Sequence, residues 1–202
     1  IYSDVDGVYT GDPRVVDGAR HLPEIDLATL QEMAEAGAKV LNAQAVEWAR
    51  KEKIAIHARK TTDLPGARDA KETVATEIPR GATASIRAIV GQDRVIELEA
   101  PRSSLFALTE AAGRAELPLY DLRAAGTHLS AFVPLLNVPD WETRREGLRS
   151  VPNLLVREGL AEVSVVGQGL SAADATGFLK TLDGAQAAVH AFSAGPLRMS
   201  AL

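Results

Sequence analysis

Residues 3–14 read Ser-Asp-Val-Asp-Gly-Val-Tyr-Thr-Gly-Asp-Pro-Arg, and the meaning of the acids in this stretch decides the fold. Asp4 and Asp6 flank one valine and precede Gly7. That spacing suits a phosphoryl-transfer nucleophile with a proton-handling neighbour. It equally suits a loop that holds a nucleotide, with Asp4, Tyr9 and Arg14 gripping a donor that other residues use. The same letters open like a calcium loop, which takes ligands at alternate positions and a glutamate at the twelfth. The twelfth position counted from Asp4 is Val15, and calcium is thereby excluded. What stands on either side must separate the other two.

Only Ile1 and Tyr2 precede the loop. A loop of this kind needs a strand to hold it, so the expectation is a chain that starts inside a domain whose N-terminal part lies upstream. The 202 residues suffice for one large core or two small ones. Hydrophobic residues make up 46% and charged ones 24%, as in ordinary globular proteins. A net charge of −5 offers no basic field to nucleic acid or to an anionic membrane. No apolar run approaches the roughly 20 residues that span a bilayer, and no signal peptide is visible. The absence of cysteine removes disulfides, thiol catalysis and cysteine-bound zinc. A cytoplasmic location, without nucleic-acid or membrane partners, is expected. The four histidines (21, 57, 128 and 190) fall on different elements, so no metal site is expected. Trp48 and Trp141 read as packing residues.

Downstream, Asp26 reads as an N-cap, with Leu27, Leu30, Met33 and Ala34 at helical spacing and Gly37 as the stop. A second helix is expected over 43–53 and a short strand over 54–59. From Lys60 to Gly81 the chain turns polar, with Pro65-Gly66 and Pro79 marking turns. Residues 84–100 read as two strands around a Gly91-Gln92-Asp93 turn. A helix over 104–115, strands over 117–124 and 127–135, and a helix over 140–149 follow. The order then restarts with a strand from 159, a helix over 172–182 and strands over 185–194 and 196–202. The turn glycines Gly126 and Gly195 stand 195 − 126 = 69 residues apart, the length of one small βαββαβ module. Two such modules in tandem are expected, the second lacking its last helix and strand.

Haloacid-dehalogenase-type phosphatases carry Asp-x-Asp-Gly after an apolar strand, and residues 4–7 fit that pattern. Their chemistry also needs a downstream lysine and a late acidic pair on a strand end, and no such pair follows an apolar strand after residue 60. The longer pattern is more specific. SDVDGVYTGDPR (3–14), LQEMAEAGAKVL (30–41) and AVEWARKEKIAIHAR (45–59) resemble the C-terminal part of the kinase domain of aspartate kinases. The tandem modules resemble that family's two ACT domains. The resemblance implies an α/β fragment of an amino-acid kinase domain (1–62), a linker (63–80), and α+β ferredoxin-like ACT modules over 81–158 and 159–202. It also implies that 84–91 pairs with the second module.

On this resemblance the nucleotide would be held by Ser3, Asp4, Tyr9, Arg14 and Lys39. Ser3 replaces the family's usual threonine, and Asn42-Ala43 stand where His-Pro is usual. No catalytic residue falls in this segment, so the chain by itself is expected to be inactive. The implied activity is that of the full-length enzyme, phosphorylation of L-aspartate by ATP with Mg2+. Asp6 and the Asp12-Pro13 turn read as structural. Ser103, Ser104, Tyr120 and Asp121 stand near the places of the family's amino-acid effector site without matching it by type. A homodimer through the ACT-like modules is implied. An amino-acid-sensing or dimerising module without kinase activity remains the alternative.

Overall fold

The computed structural model describes residues 2–3, 5–39, 41–62, 71–77 and 86–202. Asp4, the turns at Pro65-Gly66 and Pro79, and the first two residues of the expected 84–91 strand lie outside the described residues. The chain divides into two compact units, Ile1–Gly91 with Val163–Leu202, and Gln92–Glu162.

The first unit begins with β1 (Tyr2–Ser3), β2 (Val8–Tyr9), β3 (His21–Leu22) and β4 (Glu24–Asp26). Helices α1 (Leu27–Glu35) and α2 (Ala43–Lys51) follow, then β5 (Ile56–Lys60) and β6 (Glu72–Thr76). Strands β1, β5, β6 and β4 form a sheet in that order, and β2 pairs with β3. Asp26 caps α1 as expected, accepting from Thr29 N–H at 2.7 Å. The helix ends in a Schellman turn. Ala38 N–H donates to Met33 O at 2.9 Å and Gly37 N–H to Ala34 O at 3.2 Å, with Gly37 at φ 101°. Lys39 leaves that turn exposed. Asn42 then accepts from the Gln44 and Ala45 amides, so the residue that departs from the family's His-Pro is the N-cap of α2.

Strand β6 corrects the reading of 60–81 as a polar connector. It pairs parallel with β4 and antiparallel with β5. Its inward residues are Thr73 and Ala75, each 1% exposed, so its buried face lacks the large apolar residues by which a strand is recognised.

The rest of this unit comes from the C-terminal end of β10 (Leu155–Gly167), α5 (Ala172–Gly184), β11 (Phe192–Ala194) and β12 (Arg198–Ala201), in sheet order β11-β12-β10. Ser171 and Asp174 close a capping box on α5. The strand expected over 185–194 shortens to three residues. Ala187 N–H closes on Leu182 O at 3.0 Å and Gln186 takes φ 55°, which extends the helix exit. Ala88, Val90 and Val166 share one buried cluster with Val8, Leu30 and Met33.

The second unit runs β7 (Ile86–Pro101, from residue 92), α3 (Leu105–Arg114), β8 (Tyr120–Ala125), β9 (His128–Pro134), α4 (Trp141–Glu146) and β10 to residue 162. The strand order β10-β7-β9-β8 with this βαββαβ succession is a ferredoxin-like module. Ile96, Leu98, Leu108, Leu129 and Leu148 lie in its core. Trp141 is buried there, as expected, with Nε1 donating to Glu158 Oε1 at 3.2 Å. Trp48 on α2 is instead 72% exposed, which corrects its reading as a packing residue. The expected turn at 91–93 is also absent, because β7 is one strand of 16 residues. Gly91 is not among the positive-φ glycines, and Gln92 is buried.

Candidate functional site

The opening loop contains β2, pairs through it with β3, and is tied to β6. Thr73 is the anchor. Its hydroxyl donates to Leu22 O at 2.7 Å and accepts from Val8 N–H at 2.7 Å. Its hydrogen being spent, the 3.3 Å contact with His21 Nε2 requires that nitrogen to carry the proton. Gly7 sits above this junction at φ 139°, where a Cβ would fall 2.5 Å from both His21 Nε2 and Thr73 Oγ1.

Tyr9 stands against His21, edge to face, with ring centroids 5.4 Å apart. Its hydroxyl donates to Asp6 Oδ1 at 2.8 Å. Lys71 Nζ lies 5.9 Å from the Tyr9 ring centroid and 3.8 Å from Asp6 Oδ2. Burial pushes the Asp6 carboxyl up, but the Tyr9 hydrogen bond, its own backbone and the Lys71 charge together hold it below the usual carboxylate range. Burial and the Asp6 hydrogen bond push the Tyr9 phenol up. Burial pushes His21 down against the opposing charge of Asp6. The outcome is an ionised Asp6 beside a neutral Tyr9.

Arg14 grips a second anion, Asp12. Arg14 Nε and Nη2 grip Asp12 Oδ1 and Oδ2 at 3.0 and 2.8 Å, and Arg14 N–H donates to Asp12 Oδ1 at 2.9 Å. The hydrogen bonds from Arg14 and, more weakly, the Lys39 charge hold Asp12 down to about 2. Val15 and Val16 N–H both close on Asp12 O, so Asp12-Pro13 is the turn the sequence indicates. The loop is braced from behind by β7, where Ile89 N–H donates to Thr10 O at 2.8 Å. Of the expected nucleotide residues, Tyr9 lies at the Asp6–Lys71 end, and Arg14 and Lys39 at the Asp12 end. Ser3 pairs its backbone with Lys60 of β5, and Asp4 lies outside the described residues.

The expected effector residues are spread over the second unit. Ser104 is buried and donates to Pro152 O at 3.0 Å. Ser103 is exposed in the turn Arg102–Ser104 that leads into α3. Tyr120 pairs with Phe132, which faces Glu97 across β7. Pro101 is four residues further along β7, so the serine turn and Tyr120 are separated by about 13 Å of strand. Asp121 sits in a bulge between Tyr120 and Arg123 at φ 45°, with Oδ2 3.9 Å from Arg123 Nη2.

The amino acid kinase family profile matches residues 1–59. The aspartokinase of Mycolicibacterium smegmatis is 49% identical over 67 residues, covering 33% of this chain and 16% of that protein. The aspartokinase of Bacillus sp. strain MGA3 is 30% identical over 183 residues, covering 84% of this chain and 44% of that protein. The chain's relatives are aspartokinases. The fold agrees with that family along the chain. Escherichia coli aspartokinase III, solved with aspartate and ADP, superposes with a TM-score of 0.83 at 21% identity, over 99% of this chain and 47% of that one. The chain therefore spans less than half the length of these aspartokinases.

Asp6, His21, Lys71 and Thr73 were not predicted as site residues. Asp6 stood in plain view beside Asp4 but read as structural. The other three are brought in by β3 and β6.

Proposed function

We propose that this chain is the C-terminal nucleotide-binding and regulatory portion of an aspartate kinase, which uses MgATP to phosphorylate L-aspartate to 4-phospho-L-aspartate in the supply of lysine, threonine and methionine. The observation that carries the reading is the opening loop itself. It holds Arg14 on the Asp12 carboxylate, where the Lys39 charge is also felt, and such a concentration of positive charge suits the phosphates of a nucleotide. Phosphoryl transfer rests on positioning and on positive charge at the transferring group, and these side chains supply part of both. Ser3, Asp4 and Tyr9 complete the nucleotide-binding set. The domain reading is 1–62 together with β6 for the kinase part, and 81–158 and 159–202 for the two ACT-like modules, with 84–91 pairing to the second. The protein works in the cytoplasm as a homodimer through those modules.

The test is steady-state kinetics on the full-length protein. Lys39→Ala and Arg14→Ala are expected to raise the KM for ATP by about tenfold or more, the cost of a charged hydrogen bond, with little change in the KM for aspartate. Equal effects on both substrates, or none on either, would overturn the assignment. The non-kinase reading would show instead as an intact protein without phosphoryl transfer.

A further inference from the structure

We infer that Asp6, held from behind by Lys71, is a specificity-determining residue that fixes Tyr9 as a hydrogen-bond acceptor and so favours adenine over guanine nucleotides. The inference rests on the reading of Tyr9 as a nucleotide neighbour. The Tyr9 hydroxyl gives its only hydrogen to Asp6 Oδ1 at 2.8 Å, so towards any further partner it offers lone pairs alone. Lys71, which can only donate, stands over the ring at 5.9 Å and pairs with Asp6 Oδ2 at 3.8 Å. Both neighbours enforce the same polarity on the phenol.

That polarity divides the loop into two ends. A phosphate oxygen only accepts, so it gains nothing from the Tyr9 oxygen and is repelled by the Asp6 carboxylate. The phosphates belong at the end that carries Arg14, within the electrostatic reach of Lys39. Tyr9 is then left for the base, and it asks that base for a donor. Adenine presents an exocyclic amine where guanine presents a carbonyl oxygen. An acceptor facing an acceptor loses its hydrogen bond and sets two lone pairs against each other, the kind of mismatch by which an enzyme discriminates. The phenol cannot turn its hydrogen to suit guanine without abandoning an ionised carboxylate.

The experiment measures binding of MgATP and MgGTP by the full-length protein, with Tyr9→Phe, Asp6→Ala, the double variant and Lys39→Ala compared. The unaltered protein is expected to prefer ATP by about tenfold or more. Tyr9→Phe should erase most of that ratio by weakening ATP alone, and Asp6→Ala should erase it by strengthening GTP. The double variant should match Tyr9→Phe, because Asp6 acts through the phenol. Lys39→Ala should weaken both nucleotides alike and leave the ratio unchanged. An unchanged ratio in Tyr9→Phe, or additive effects in the double variant, would overturn the inference. Loss of any response in Lys39→Ala would overturn the nucleotide-site reading beneath it. Tyr9→Phe removes one exposed-end hydroxyl and keeps the ring, so its result stands even if Asp6→Ala fails to fold.

Discussion

Gly7 holds a φ of 139° with the Thr73 hydroxyl and the His21 ring 2.5 Å from where a Cβ would lie. The Thr73 neighbour cannot yield, because Thr73 is 1% exposed and bonded to Leu22 and Val8. Gly7→Ala is therefore expected to destabilise the protein by at least about 2 kcal/mol, from backbone strain and overpacking together. A denaturant midpoint close to the unaltered protein's would show that the loop adjusts. Thr73→Val keeps the shape but leaves the buried Val8 N–H without an acceptor, at an expected cost of about 2 kcal/mol. Tyr9, Arg14 and Lys39 were singled out in the sequence because each lies in a run of distinctive letters. Asp6 was legible as a letter but not as a role, since its partners arrive from residues 21 and 71. The polarity it imposes on Tyr9 is a property of one hydroxyl hydrogen, and no sequence pattern encodes it.

At the level of elements, the helices were the most readable. Their caps at Asp26 and Asn42 and the glycine stop at Gly37 are local signals, decided within a turn of chain. Strands were less so where their neighbours supply the reason for them. Gly91-Gln92-Asp93 has the composition of a turn, yet lies in the extended strand β7. Because a Cβ at Gly91 would meet nothing within 4 Å, Gly91→Ala should leave stability unchanged or slightly raised, whereas a tight turn there would lose stability. Thermal unfolding of that variant separates the two. Strand β6 depends on an ion-paired rim as well as on Thr73. Glu72 Oε2 meets Arg59 Nη2 at 2.5 Å, and its other oxygen meets His57 Nδ1. Burial pushes the Glu72 carboxyl up, but the His57 and Arg59 hydrogen bonds outweigh it and leave it below the ordinary glutamate value. A carboxyl lowered by folding stabilises above its unfolded value, and that contribution disappears as pH falls through the folded value. Glu72→Gln is accordingly expected to be less stable than the unaltered protein at pH 7, with the gap closing below about pH 4. A gap that persists or widens in acid would contradict the assignment.

For the whole molecule, the repeat of about one βαββαβ length was visible in the spacing of Gly126 and Gly195. The division into units was not. It falls at 91/92 and 162/163, inside β7 and β10, where a continuous strand carries no compositional break. The effector question belongs at this scale, because the candidate residues cannot meet within one unit. Ser104 has already spent its hydroxyl on Pro152 O, and Asp121 faces Arg123 from a left-handed bulge. The serine turn and Tyr120 lie about 13 Å apart along the strands, too far for one amino acid to bridge. A free amino acid needs acceptors for its ammonium and donors for its carboxylate at one place, and lysine or threonine would have to find them across two modules with residues that differ in type from the family's. Feedback by lysine or threonine is therefore expected to be weak or absent, while association of the modules persists. Association asks only for strand edges and apolar surface. β8 stands at the end of its sheet order with Leu122 39% exposed, and an unpaired edge readily takes another strand. The measurement is calorimetric titration of the intact chain with lysine, threonine and methionine, alongside its mass in solution. Sub-millimolar binding of lysine or threonine would overturn the first half of this prediction. A monomer at high micromolar concentration would overturn the second.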